Sequence, residues 1–362
     1  MIWMKGMQKK GKRFHRGLAV LMSAILLAGQ YGFPVRAEEN TEMPGSEERV
    51  GIVEAGNSVS AGDAGPAGTI VEYAGSVSGG DEFLPGDNEE EVNFRIGDTE
   101  FSVISGDQVE LTQAGTGTLK YVVPDQVQSP RTHKEYRVTS IGEQAFADCE
   151  SLESVLIPGG VKRIGYCLFA NCRSLKSVQL QEGITAIEAG AFLNCESLES
   201  ILIPGSVLSI GQEAFSGCKS MESAFMQSGI TAIGVRAFYG CRNLKDVRLS
   251  DTVNSIGQSA FEDCESLESI VIPDSVLNIG SSSFYGCKNL KSVEISESIT
   301  SIGDWVFYEC EGLESIEIPE GVVTIGEGAF MRCRALKDVR IPSQVTEIAD
   351  KAFCGCGGLG SI

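Results

Sequence analysis

From residue 141 the chain repeats every 23 residues without a gap, and no other feature constrains its fold as strongly. Ile recurs ten times at this spacing, from Ile141 to Ile348. Phe follows each Ile by five residues, from Phe146 to Phe353. A cysteine follows each Phe by three: Cys149, Cys172, Cys195, Cys218, Cys241, Cys264, Cys287, Cys310, Cys333 and Cys356. Leu, or Met221 once, comes three residues later. A unit this short cannot bury its own apolar face, whereas stacked units share one continuous core. Strict repetition in register therefore predicts a repeat architecture.

Within a unit, Ile141, Ala145, Phe146, Cys149 and Leu152 are spaced near a helical period. This predicts a helical or 3₁₀ turn with its apolar side inward. Val155 and Ile157 switch to a period of two, which predicts a strand. Pro158 and Gly159-Gly160 end that strand, and Val161 and Ile164 pin the return segment to the core. The fold class expected is an α/β repeat solenoid. Strands of successive coils form a parallel sheet at about 4.8 Å per coil, so ten coils run roughly 45 to 50 Å.

The unit Ile-Gly-x-x-Ala-Phe-x-x-Cys-x-x-Leu-x-x-Val-x-Ile-Pro resembles the BspA-like (Treponema-type) leucine-rich repeats, and Ile256 to Pro273 fits it with almost no departure. The resemblance covers residues 141 to 362 and, more loosely, the chain from about residue 93. It implies a curved, right-handed leucine-rich-repeat coil with its parallel sheet on the concave face. It also implies a bacterial protein, secreted or on the cell surface, that binds host proteins, matrix proteins or other cells. It implies no conserved active site.

Residues 1–37 read as a secretory signal peptide. Lys5, Lys9, Lys10, Lys12, Arg13 and Arg16 form a positive segment, Leu18 to Ala28 an apolar stretch, and Val35-Arg36-Ala37 a small-x-small cleavage site. The apolar stretch is short for an uncleaved membrane anchor. Leu26-Leu27-Ala28-Gly29 is followed by Gln30 rather than cysteine, which argues against a lipid anchor. Cleavage after Ala37 removes seven of the 29 basic residues and no acidic one, leaving 49 acids against 22 bases, a net charge of −27. Such a surface repels nucleic acid and anionic lipid, and suits basic partners.

Residues 38–92 are rich in Glu, Gly, Ser and Asp and lack apolar periodicity, so they read as a flexible acidic spacer. An acidic interaction tail is the alternative. Residues 93–140 show strand-like alternations at Phe101-Val103, Val109-Leu111, Tyr121-Val123 and Tyr136-Val138, and read as a β-rich N-terminal cap. Residues 141–362 are the repeat domain of ten units, the last one truncated. The sequence stops inside an expected strand at Gly360-Ser361-Ile362 with no polar capping coil. A fragment, a truncated product, or a molecule that self-associates through its uncapped C-terminal edge would each fit.

The cysteine column invites a chemical reading, but zinc needs four ligands converging at short local spacing. One thiol per coil in a column instead suggests inert core residues. Stacked parallel side chains also have poor geometry for disulfides. Cys167 and Cys354 lie off the column and are the expected reactive thiols. His15 leaves with the signal, so His133, in a polar loop with Arg131 and Lys134, is the one histidine left for a Ser/His or Cys/His pair. No catalytic residue, metal site or cofactor is expected.

Charge follows the repeat as well. The residues after each ladder cysteine, Glu150 to Arg334, and after each following Leu or Met, Glu153 to Lys337, mostly alternate in sign from coil to coil. Stacking sets each between opposite charges, which fixes register. Both columns break in the fourth coil, where Lys219 precedes Arg242 and Glu199 precedes Glu222. That coil also carries Met221, Ala224, Phe225 and Met226. Alternation turns Phe225 outward. Its counterparts make an apolar first half, Leu156, Leu202, Phe225 and Val271, bordered by Arg248, and a charged second half. An exposed apolar patch marks a binding face; repeat drift filled by whatever a sheet tolerates is the alternative. A second surface holds Tyr239, Tyr285 and Tyr308 at one repeat position, with Trp305 nearby. It suits protein or glycan recognition, or simple partial burial between turns.

The expected function is extracellular binding of a host, matrix or cell-surface protein, or of a glycan, with no nucleic-acid partner and no membrane-spanning segment after cleavage. Two other classes stay open: the targeting repeats of a larger secreted hydrolase, and a structural component of a surface assembly.

Overall fold

The computed structural model of the protein describes residues 92–115 and 117–360. The expected signal peptide and the spacer up to residue 91 lie outside the described residues. Six strands open the fold: β1 (Asn93–Ile96), β2 (Thr99–Ser105), β3 (Gln108–Gln113), β4 (Lys120–Val122), β5 (Gln126–Gln128) and β6 (Glu135–Ile141). Five of them form a sheet in the order β1-β2-β3-β6-β5. Pairing is antiparallel except between β3 and β6. The alternating residues Phe101, Val109, Leu111, Tyr136 and Val138 are all buried. The strand β4 leaves this sheet and pairs in parallel with β7 (Ser154–Ile157), the first long strand of the repeats.

Beyond residue 153 the chain alternates between two strand series. Long strands such as β7, Ser177–Leu180, Ser200–Ile203 and Ser223–Met226 pair in parallel, each residue with its counterpart 23 positions on. Two-residue strands such as β8 (Arg163–Ile164), Ala186–Ile187 and Ser209–Ile210 form a second parallel series at the Ile column. The sequence foresaw the first series but read the second only as a return segment. In β7, Val155 and Ile157 are buried while Ser154 and Leu156 are half-exposed, as a period of two requires.

The helical or 3₁₀ turn expected at Ile141 to Leu152 does not form, and no described residue is helical. The solenoid is therefore built from strands and turns, and the α part of the expected class is corrected. The reason is local. Each coil has two left-handed residues, one two positions before Phe and one two positions after it. The first column runs from Gln144 to Lys351 with φ between 50° and 64°, and the second from Asp148 to Gly355 with φ between 57° and 80°. A right-handed helix needs φ near −63° throughout, so two reversals four residues apart interrupt it. The arc is a chain of tight turns instead. Its backbone donors reach the next coil: Cys167 to the Ala189 carbonyl at 3.0 Å, Phe169 to Ala191 at 2.8 Å, and Asn171 to Leu193 at 2.7 Å. The turn arc thus acts as a third hydrogen-bonded wall around the core.

Inside these walls the Phe rings form one column. It starts with Tyr121, edge-on to Phe146 at 5.0 Å. It continues at 4.9 to 5.6 Å between centroids as far as Phe353. The cysteines stack beside it. Cys172 Sγ donates to the Phe146 carbonyl at 2.9 Å, and the same bond recurs from coil to coil up to Cys356 and Phe330 at 3.0 Å. The thiol satisfies a core carbonyl while filling a small volume, which explains why a polarisable group occupies this position.

Burial pushes the Cys172 and Cys241 thiols up to about 12. They cannot ionise in the fold where unfolded thiols do, near pH 9. Stability held below that pH is therefore expected to fall as pH rises from about 9 toward about 12. In the native state at neutral pH, a thiol reagent should modify the exposed Cys354 first and the half-buried Cys167 and Cys356 more slowly. The other ladder thiols should react only after denaturant is added. Peptide mapping checks this, and rapid native labelling of Cys241 would contradict it.

Candidate interaction face

The outward column of the long strands is set by backbone register, residue by residue. Val122 pairs with Leu156, Leu156 with Gln179, Leu202 with Phe225, and Phe225 with Arg248. Further on, Val271 pairs with Glu294, and Glu317 with Arg340. Neighbours in such a column lie about 4.8 Å apart. Leu202 is 48% exposed, Val271 56% and Val122 60%, while Leu156, Phe225 and Arg248 are half-buried.

The structure brings together Leu156, Leu202, Phe225 and Arg248 on one continuous six-stranded sheet, with Gln179 interposed. Val271 lies on the neighbouring two-stranded sheet, which begins the charged half. Val122 was missed by sequence reasoning because it precedes the first repeat. The signal was present as Lys120-Tyr121-Val122, an alternation that ends on a residue in the Leu156 register.

Arg248 does more than border the patch. Its guanidinium carbon lies 5.0 Å from the Phe225 ring centroid, and one of its nitrogens is 3.4 Å from Asp246. A cation over an aromatic face is favourable. Asp246 balances the charge, so Arg248 adds a flat, half-buried cover to Phe225 rather than a free cation. This packing explains why Phe225, turned outward, is less exposed than Leu202.

The second surface divides. Tyr285 and Tyr308 stack at 4.7 Å with an interplanar angle of 8°, and the Arg332 guanidinium sits 5.7 Å from the Tyr308 centroid. Arg332 is also bonded to Glu309. Burial, followed by the nearby Glu309 carboxylate, raises the Tyr285 hydroxyl above its usual range. Tyr239 is not part of this stack, because the coil between carries Glu262 at the same position; it sits under Arg236 at 5.7 Å. Trp305 is 40% exposed and lies across Gly328, where a Cβ atom would come within 2.6 Å of its indole. The Tyr285–Tyr308 stack, Tyr239 under Arg236 and Trp305 across Gly328 are thus three separate contacts.

The charge columns close into ion pairs between coils: Lys176 with Glu153 at 3.1 Å, Lys219 with Glu196 at 3.1 Å, Lys291 with Glu268 at 2.9 Å and Lys337 with Glu314 at 3.3 Å. At the break, Lys219 turns to Glu196 and Arg242 to Glu265, so the two cations face opposite ways. Further pairs at or beside the left-handed positions, invisible to the reading of the sequence, join Arg236 to Glu213 at 3.7 Å and Lys351 to Glu327 at 3.6 Å. These exposed pairs hold register more than they add stability. His133 sits exposed in a turn closed by its own N–H donating to the Ser129 carbonyl at 3.0 Å. Among the described residues, no buried polar side-chain atom lacks a partner. Nor is any helix long and apolar enough to cross a membrane.

The pattern of the BspA type leucine-rich repeat region matches residues 139–268 and 254–362, with six copies. Similar solved structures include a leucine-rich cell surface protein from Faecalibacterium prausnitzii, 25% identical, covering 76% of this chain and 95% of that one, with a TM-score of 0.42. A leucine-rich-repeat protein from Eubacterium ventriosum is 20% identical, covering 74% and 83%, with a TM-score of 0.43. One from Bacteroides capillosus is 30% identical, covering 38% of this chain and 99% of that one, with a TM-score of 0.35. Among curated proteins none matches. With its repeats matched from residue 139 to residue 362, the chain belongs to the BspA-type leucine-rich-repeat family.

Proposed function

We propose that this protein is a binding module of the bacterial cell surface or its surroundings, and that its ligand is a protein. The ligand lies along the outward column Leu156, Leu202, Phe225, Arg248 and Val271, extended by Val122. One observation carries this reading: apolar side chains remain exposed or half-exposed along one outward column, interrupted by Gln179 and Arg248, on sheets whose inward positions are filled. A largely apolar outward strip with polar residues among its members is what protein interfaces use. The relative from Faecalibacterium prausnitzii, described as a cell surface protein, supports the location. No catalytic role is assigned, since repeat folds of this family are typically non-catalytic and His133 has a structural setting.

The test is binding of the purified chain to immobilised extracellular-matrix proteins, whole bacteria and glycans, with Phe225→Asp in parallel. The variant should weaken binding by about 2 kcal/mol or more, about thirtyfold, because it places a charge at the centre of the strip. Its circular dichroism should match the wild type. Equal affinity would refute the assignment of this face. Trp305 and the Tyr285–Tyr308 stack support a second reading, a recognition surface for protein or glycan on the turn side of the coils. Trp305→Ala, assayed on the same panel, separates the two surfaces.

A further inference from the structure

We propose that the partner is a polypeptide segment that is apolar at one end and basic at the other, lying along the outward column from Val122 toward Glu317. This rests on the strand face being the binding face and adds the chemistry of what binds there.

The argument begins with a departure from the molecule's own rule. On the flanking column each base meets an acid one coil away, as Lys291 does with Glu268 and Lys337 with Glu314. The outward column does not follow this rule. After Val271 it carries Glu294 and then Glu317, two exposed acids at one-coil spacing. Like charges stacked this way are destabilising. Neither carboxylate has a basic partner within ion-pair distance among the described residues. Arg340 stands next to Glu317 in register, yet its guanidinium is bound to Glu320 at 3.0 Å. The nearest cation on the apolar side, Arg248, is occupied by Asp246 and the Phe225 ring. The column therefore reads apolar with Gln179 interposed, then aromatic under a neutralised cation, then apolar, then uncompensated acid.

An occupant that complements this order has apolar side chains over Val122, Leu156, Leu202, Phe225 and Val271, and Lys or Arg over Glu294 and Glu317. The net charge of −20 on the whole chain favours a basic partner and opposes nucleic acid or anionic lipid. From Val122 to Glu317 the column takes eight steps, about 38 Å at about 4.8 Å each. An extended peptide spans that length with about eleven residues at about 3.4 Å per residue.

Random dodecapeptides displayed on phage, selected against the immobilised full chain, test the proposal. The enriched sequences should pair an apolar stretch with Lys or Arg at one end. Synthesised as labelled peptides, they should bind about tenfold or more weakly to a Glu294→Lys/Glu317→Lys double variant. They should also weaken as salt rises from about 0.1 M to about 1 M, where the screening length falls from about 10 Å to about 3 Å. All substituted positions are on the outward face, and matched melting curves check that each variant folds. Peptides lost on Phe225→Asp but indifferent to the double variant and to salt would overturn the charge inference while leaving the face assigned. Peptides indifferent to every variant, or no enrichment above blank support, would overturn both.

Discussion

Phe215→Ala is expected to destabilise the protein by about 3–5 kcal/mol, as for other fully buried Phe truncations. The Phe215 ring is fully buried and lies 5.1 Å from both Phe192 and Phe238, tilted by only 5° and 10°. The cavity cannot collapse, because the coil on each side is held by two strand series and by the turn arc. In a solenoid the loss also falls on the interfaces with both neighbouring coils. Denaturant unfolding should therefore lose cooperativity as well as stability. Trp305, four coils further on, reports the C-terminal half by fluorescence, while circular dichroism reports the whole. The two transitions should separate in the variant and coincide in the wild type. Phe353→Ala, at the half-buried end of the column, should cost clearly less. A Phe215→Ala midpoint equal to the wild type would show that the ring column does not carry the core.

Gly229→Ala is expected to cost at least about 3 kcal/mol. Gly229 has φ of +138°, a region only glycine enters freely, and a Cβ there would come 1.9 Å from the Gly205 carbonyl oxygen. Strain from φ alone accounts for about 1–3 kcal/mol. The rest comes from pushing apart two backbones that the strand register holds together. Gly240→Ala is the control: its φ is +68°, nothing lies within 4 Å of the added Cβ, and Asn171 and Asn194 hold the same place in other coils. It should cost about 1–2 kcal/mol. Comparable losses at the two positions, measured by thermal denaturation, would mean that the close approach of the two turns is not a constraint.

The inward half of every coil was legible in the sequence. Ile164, Phe169, Cys172, Leu175 and Val155 recur at fixed offsets because each meets its own copy 23 residues away, and all are buried. A stacked core places the same demand on every coil, so repetition alone reveals it. The pairing of Lys with Glu between coils was legible for the same reason. So was the outward direction of Phe225, since a strand alternates its side chains.

The helix expected around Phe146 failed on information that was present but not weighed. Apolar residues four, three and three apart suit a helix and a chain of turns equally well. The position two after Phe decides between them: it is Asp148, Asn171, Asn194, Gly217, Gly240, Asp263, Gly286 and Gly355 in eight of ten coils, the residue types that tolerate a left-handed backbone. The position two before Phe carries no such mark. Gln144, Arg236 and Trp305 are left-handed there all the same, because hydrogen bonds to the next coil hold them.

By itself, then, the sequence determined the repeat, its register and which side chains turn inward, because those depend on contacts between identical positions. Only the tertiary structure decided what happens between unlike positions. It set Arg248 over Phe225 rather than beside it, joined Val122 to the column from outside the repeats, and stacked Tyr285 on Tyr308 while leaving Tyr239 apart. It also left Glu317 without a basic partner among the described residues by turning Arg340 to Glu320. Each of these outcomes depends on how a side chain divides its reach among several neighbours in space, and a period along the chain carries no record of that choice.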